Sequence, residues 1–444
     1  MEKMSLKEIC LAAGGKLVGE DGFVDNVVTD NRLCKDGSLF VAIKGENHDG
    51  HKYAKAASEA GAVAVLVSCD TDAGSASKII VDDTVSALGK ISKYYLEKCN
   101  AKVLAVTGSV GKTTTRNMAH AAISEGKNAV KTIKNYNNNI GLPLTILSEV
   151  TNETEVAVLE MGMNHFGEIS YLSSLACPES AIITNIGMSH IENLGSREGI
   201  LKAKLEVLDG LKKDGVLILN GDDKYLWGER EKPFKKVYYG IENKEADFIA
   251  EEISYEKDKV SFTLCAKGEK YKVLLNVPGI HNVYNALSSF AAADYFNVSP
   301  DKAIAGLEKF YSSDMRLEII KKENFTVIND CYNASPDSVL AALNVLKNMT
   351  GKKIAVLGDM LEMGSYAPDA HRETGKKAKE ICDLVISVGE LGKYIKEGAG
   401  EKGIWFSSKE EAEEHINREK DGSVILVKAS RGMHFEEITK NILD

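Results

Sequence analysis

Residues 103–115, VLAVTGSVGKTTT, constrain this chain more than any other stretch. A run of β-forming residues ends at a glycine-containing turn, and Gly-Lys-Thr-Thr then opens a helix. Gly108 and Gly111 let backbone amides come close to a phosphate chain. The helix start adds its partial positive charge. Lys112 can reach the β- and γ-phosphates, and the Thr113 hydroxyl can face a magnesium ion. Thr107, Ser109, Val110 and Thr114 complete the candidate loop. The general pattern places a glycine five residues before Gly111, where this chain has Val106, so the loop is a variant. The alternative is a tight strand–helix turn that binds nothing.

Apolar strand candidates alternate with helical stretches on either side of this loop. VLAVTG, EVAVLEMG, SAIITNIG and GVLILNG set the βαβ rhythm of a parallel sheet. Residues 247–277 alternate as antiparallel strands instead. FTVIND, KKIAVLGD, DLVISVGE and SVILVKAS give a second, Rossmann-like alternation near the C-terminal end. SLFVAIKG and AVAVLV mark a small α/β block at the other end, and a helix is expected over Val85–Lys98. A length of 444 residues suits about three domains. The expected fold is α/β, with domains over 1–83, 84–313 and 314–444: a small α/β N-terminal domain, a central P-loop ATPase domain with a parallel sheet, and a Rossmann-like C-terminal domain.

Charge and cysteine usage remove other classes. The net charge is −10 with no dense basic block, which argues against general nucleic-acid binding. No run approaches the roughly 18 apolar residues of a membrane helix, and MEKMSLKEIC does not resemble a signal peptide. The eight cysteines form no CxxC pair and no zinc-like spacing, as expected of reduced core thiols in a cytosolic protein.

Three residues beyond the loop suggest a metal shell. Glu160 ends the strand EVAVLEMG, where a carboxylate points into the ligand crevice of a parallel sheet. AIITNIGMSH leads to His190, just past a strand end near Asn185. In SREGILKAKLEVLDGLK, Ile200, Leu201, Val207, Leu208 and Leu211 form one apolar arc that also holds Lys204. Lys202 lies opposite, with Glu198 and Glu206 as ion-pair neighbours. Lys204 therefore either snorkels from an apolar face or is held in a site. A desolvated amine is neutral and nucleophilic, and could take up CO₂ as a carbamate.

At these residues the chain resembles the Mur ligases, the cytoplasmic amino-acid-adding enzymes of peptidoglycan synthesis. TGSVGKTTT looks like their ATP loop. Glu160, His190 and Lys204 match in order and spacing the family's Mg²⁺-binding glutamate, histidine and carbamylated lysine. PGIHNVYNAL resembles a family helix start that places His281, Asn282 and Asn285 near the nucleotide. Arg316 and Asp330 fall where the family's inter-domain arginine and C-terminal aspartate meet ATP.

NYNNNIGLP, DCYNASPDS, GDMLEMG and the spacing of His371 and Gly375 resemble the type that adds D-alanyl-D-alanine. TDNR and GSLFVAIKGENHDGHKY look like its UDP-sugar domain, which implies Thr29, Arg32 and His51 as substrate contacts. Asn137, Asn138, Asn333 and Ser335 are implied contacts of the dipeptide. TDNR stands for the usual SDSR, and Ser335 for the usual Asn. The resemblance implies ATP, two Mg²⁺ ions and a carbamylated lysine. It implies a UDP-N-acetylmuramoyl tripeptide and D-alanyl-D-alanine as partners, with no nucleic acid, no membrane insertion, and a monomeric chain. Lys112, His190 and Lys204 are the implied catalytic residues. The rivals are a related ligase adding a single amino acid and a P-loop NTPase that ligates nothing; no guanine-reading NKxD motif supports the second.

Overall fold

The computed structural model describes residues 1–256, 258–312 and 315–443. By packing, the chain separates into two compact units, each assembled from several stretches. One comprises Met1–Thr107, Gly126–Ile182 and Leu205–Leu217; the other comprises Gly108–Glu125, Ile183–Lys204 and Ile218–Asp444. The expected boundary at 313/314 lies outside the described residues. No described helix is long and apolar enough to cross a membrane.

The first unit holds a five-stranded sheet in the order Lys16–Val18, Ser77–Ile80, Ala62–Val67, Ser38–Val41, Asn26–Val28. Its first pair is antiparallel and the others are parallel. The inner strands are SLFV and AVAVLV, the two apolar runs of the sequence. Phe40, Val65 and Val67 pack with Ala54 and Ala57 from the short helix Ala54–Glu59. The expected helix near residue 85 runs over Thr84–Cys99. It starts where the Asp83 carboxylate accepts the Ser86 N–H at 2.6 Å and ends at Asn100, whose φ is +55°. Three further strands, Ala129–Lys131, Val156–Glu160 and Lys102–Thr107, lie parallel. Their register sets Glu160 beside Val106, so the carboxylate emerges next to the end of the phosphate-loop strand.

In the second unit, helix Lys112–Ser124 follows the loop directly. Strand Phe248–Glu256 pairs parallel with Lys236–Gly240, then antiparallel with Lys259–Ala266, which pairs antiparallel with Glu269–Leu275. The last three are the antiparallel strands expected over 247–277. A six-stranded sheet has the order Glu318–Lys321, Thr326–Asn329, Ser423–Lys428, Lys352–Leu357, Leu384–Val388, Gly403–Phe406. Only its first pair is antiparallel. Val327, Ile354, Val356, Ile386, Ile425 and Val427 fill its core against Ile416, Phe435 and Ile438. Strands buried on both faces read as continuous apolar runs, which is why all four C-terminal runs were visible in the sequence.

Candidate active site

The loop after Thr107 is braced by residues 184–187 and flanked by Asn285. Gly108 has φ +145°, and a Cβ there would lie 1.8 Å from Thr184 Oγ1. Gly111 has φ +88° and precedes the helix, where Asn285 Oδ1 would meet an added Cβ at 3.0 Å. Only glycine suits both places. The Ser109 N–H donates to Asn185 O at 3.1 Å and the Val110 N–H to Asn185 Oδ1 at 3.0 Å. Val110 O accepts from Thr184 Oγ1 at 2.6 Å and Asn185 Nδ2 at 2.9 Å. The Gly187 N–H donates to Ser109 Oγ at 2.9 Å. Lys112 Nζ folds back to Gly108 O at 2.8 Å. Thr113 is buried and Thr114 half-buried, while Thr107 Oγ1 is buried without a hydrogen-bond partner. Asn282 reaches this loop indirectly: Asn285 Nδ2 donates to Asn282 Oδ1 at 3.1 Å, and Thr115 Oγ1 donates to Asn285 Oδ1 at 3.0 Å.

Lys204 is 1% exposed, whereas Lys202 is exposed. The helix-face reasoning placed both, although the α-helix stops at Leu205 and a 3-10 turn carries Glu206–Asp209. The assumed phase therefore does not extend through Leu211, and Leu201, Leu208 and Leu211 are only half-buried. Glu206 accepts the Gly167 N–H at 2.9 Å. Burial, and then the Lys112 charge, push the Lys204 amine well below the ordinary lysine range. His190 has φ +63°; its Nδ1 lies 2.7 Å from Glu362 Oε2, an ion-pair distance without hydrogen-bond alignment. His190 holds the Glu362 carboxyl below its usual range. In the other unit, Glu160 is 2% exposed and accepts from Asn137 Nδ2 at 2.8 Å. Among the described residues no three His, Cys, Asp or Glu side chains converge as a metal cluster.

Asp330 and Lys428 form a buried ion pair, Nζ to Oδ2 2.6 Å. Burial raises the Asp330 pKa, and the Lys428 ammonium opposes that rise. The Arg316 guanidinium lies 3.8 Å from the centroid of the Tyr332 ring, with its Nε buried and lacking a hydrogen-bond partner. His281 is half-buried; desolvation first, and the Lys428 charge second, push it down to about 4.

Several residues expected at the substrates are engaged locally. Arg32 forks onto Asp30, whose pKa falls to about 2. His51 is buried, with Nδ1 2.7 Å from Asp49 Oδ1 and Nε2 accepting the Ser68 N–H at 2.9 Å. Thr29 is half-buried. Asn138 Oδ1 accepts the Gly141 N–H at 2.8 Å, and Asn333 Oδ1 accepts the Ala334 N–H at 2.9 Å. Ser335 caps helix Pro336–Lys347 in a capping box with Ser338. Sequence reasoning passed over Asn185, Asp337, Glu362 and Lys428. Asn185 was legible as a polar residue at a strand end. Asp337, which accepts the Met188 N–H at 3.0 Å, depends on tertiary contact.

Three descriptions match consecutive stretches: Mur ligase family, catalytic domain over residues 24–107, Mur ligase middle domain over 106–293, and Mur ligase, glutamate ligase domain over 315–431. The chain is 41% identical to the UDP-N-acetylmuramoyl-tripeptide--D-alanyl-D-alanine ligase of Bacillus subtilis, covering 100% of this chain and 99% of the relative. Identity to the Escherichia coli protein of that name is 36%, over 99% and 98% of the two chains. Among solved structures, MurF from Acinetobacter baumannii superposes with a TM-score of 0.94 at 31% identity, over 100% and 99% of the chains. MurF ligase from Thermotoga maritima in complex with ADP gives 0.87 at 28%, over 94% and 97%.

Proposed function

The chain belongs to the Mur ligase family, and on that premise we propose that it joins D-alanyl-D-alanine to a UDP-N-acetylmuramoyl tripeptide with consumption of ATP, in the cytoplasm, during peptidoglycan precursor synthesis. The observation that carries this reading is the full-length similarity to ligases of that name. The braced phosphate loop supports ATP as the phosphoryl donor. The tripeptide carboxylate attacks the γ-phosphorus of ATP and ADP leaves, giving an acyl phosphate. The amine of D-alanyl-D-alanine attacks the acyl carbon and phosphate departs.

Most of the work is positioning and charge neutralisation. Residues 107–114 would cradle the phosphates, and Lys112 would exchange its carbonyl acceptors for the transferring group. Asn282, Arg316 and Asp330 would fix the nucleotide. Thr29 and Arg32 would meet the UDP-sugar, with His51 shaping their surroundings. Asn137, Asn138, Asn333 and Ser335 would face the dipeptide.

A magnesium pair fits these residues on one condition. Glu160 and Thr113 each carry an oxygen of the kind Mg²⁺ takes. In the second set, Glu362 already stands at ion-pair distance from His190, and Lys204 would add an anion of its own only once modified. Burial disfavours the charged form of its amine, and the proposed modification follows from the neutral form: nitrogen bonds to CO₂, one proton leaves, and a carboxylate results. Bound Mg²⁺ would supply charge neutralisation at the β- and γ-phosphates. The domains proposed are 1–83, 84–313 and 314–444, in a monomer.

Phosphate release with ATP, Mg²⁺, the UDP-muramoyl tripeptide and a panel of amines tests the reading. D-Ala-D-Ala should exceed D-Ala by about a hundredfold or more in kcat/KM, because a site that pairs with the internal amide is left unsatisfied by a free amino acid. Faster turnover with any single amino acid refutes the dipeptide assignment.

A further inference from the structure

Lys428 is the last residue of strand Ser423–Lys428, and its side chain is only 3% exposed. Register explains its neighbour. Asn329 pairs with Val427, so Asp330 and Lys428 emerge side by side at the carboxyl edge of the sheet. Lys428 Nζ donates to Asp330 Oδ2 at 2.6 Å and to Asn333 O at 2.8 Å.

Both acceptors belong to a stretch without helix or strand, residues 330–335. The cation therefore holds both its first residue and its fourth. The Asp330 Oδ1 atom accepts the Leu317 N–H at 3.1 Å, next to Arg316, whose guanidinium lies over Tyr332 of the same stretch. At the far end Ser335 starts the following helix. One short loop thus carries the acid assigned to the nucleotide and the two residues assigned to the dipeptide. Desolvating an ammonium is unfavourable without well-placed acceptors, and here two acceptors at defined separation meet that need.

We propose that Lys428 is a positioning residue that sets the conformation of residues 330–335 and thereby aligns the nucleotide and dipeptide subsites. The proposal rests on the reading above, in which Asp330 serves ATP and Asn333 and Ser335 serve D-Ala-D-Ala. Lys428 acts through the loop, its Nζ being taken up by Asp330 and Asn333.

The test uses the full-length enzyme carrying Lys428→Met or Lys428→Arg, beside Asn333→Ala and Ser335→Ala. Steady-state kinetics are measured with D-Ala-D-Ala and ATP varied in turn, together with calorimetric binding of the UDP-muramoyl tripeptide and thermal unfolding. In Lys428→Met both KM values should rise by roughly tenfold or more, since a displaced loop misplaces both subsites, while tripeptide affinity stays within about twofold. Lys428→Arg keeps the charge but not the point geometry, so it should shift the same two constants by less. If Lys428→Met does not fold, the arginine variant decides by the same readout. A fall in thermal stability with both KM values unchanged would overturn the proposal and leave a purely structural ion pair. If Asn333→Ala and Ser335→Ala raise the dipeptide KM but the Lys428 variants do not, the proposal alone fails. If neither loop variant affects it, the dipeptide assignment fails and the proposal with it.

Discussion

Replacing Gly108 by alanine puts the phosphate-loop geometry to a quantitative test. With φ at +145°, the backbone occupies a region that residues with a Cβ adopt at a strain of about 1–3 kcal/mol. The new methyl would sit 1.8 Å from Thr184 Oγ1 and 3.0 Å from Thr184 N, so the threonine must turn away. Turning breaks its 2.6 Å hydrogen bond to Val110 O, a loss of about 1 kcal/mol. Asn185 Nδ2 still holds that carbonyl at 2.9 Å, which limits the damage to the loop. The combined penalty is about 2–4 kcal/mol, shared between fold stability and nucleotide affinity, or roughly 30- to 1000-fold in their product. Urea unfolding gives the first share, and fluorescence titration with a ribose-labelled ATP analogue gives the second. In a Thr184→Ala background the same glycine change should be milder by about 1 kcal/mol or more, because the obstructing oxygen is gone. A Gly108→Ala protein that changes both quantities by less than about 0.5 kcal/mol would refute the steric reasoning.

Further substitutions separate the lysines. Lys112→Ala should abolish ligation while far-ultraviolet circular dichroism stays unchanged, since the proposed role of this half-buried side chain is to neutralise phosphate charge rather than to pack. Lys204→Ala should be nearly inactive and partly rescued by a small added carboxylic acid, with Lys202→Ala close to neutral; the reverse pattern in a product-formation assay would contradict the carbamate. His281 adds a pH dependence. Its folded pKa of about 4 lies below the ordinary 6.5, so the unfolded chain binds the proton more readily. Its contribution to stability is full above about 6.5 and falls away as the pH drops towards 4, by about 1–3 kcal/mol. Urea unfolding of His281→Asn across that window should show a flatter slope.

How much of this was legible in the sequence depended on the range of the cause. Parallel strands announced themselves as apolar runs because both faces are buried, and the loop glycines because backbone geometry admits little else there. Lys204 was placed by helical phase over the turns before it. The same phase failed for Leu208 and Leu211 because the helix tightens to 3-10 at Glu206. Asn138 and Ser335 were ambiguous for a physical reason: groups that suit a ligand amide also serve the backbone, and here Asn138 accepts the Gly141 N–H while Ser335 caps a helix. Lys428 was invisible because its partner stands 98 residues away and only strand register brings them together. Glu362 meets His190 by tertiary packing, which no local pattern reports.

The proposed reaction turns on a carboxylate activated by phosphoryl transfer and captured by a dipeptide. The most direct test labels the terminal carboxylate oxygens of the UDP-muramoyl tripeptide with a heavy isotope and supplies ATP, Mg²⁺ and D-Ala-D-Ala. Mass spectrometry should find the dipeptide joined to the tripeptide, and one heavy oxygen in each phosphate released. Product formed with unlabelled phosphate, or labelled phosphate turned over without any dipeptide joined, would contradict the mechanism.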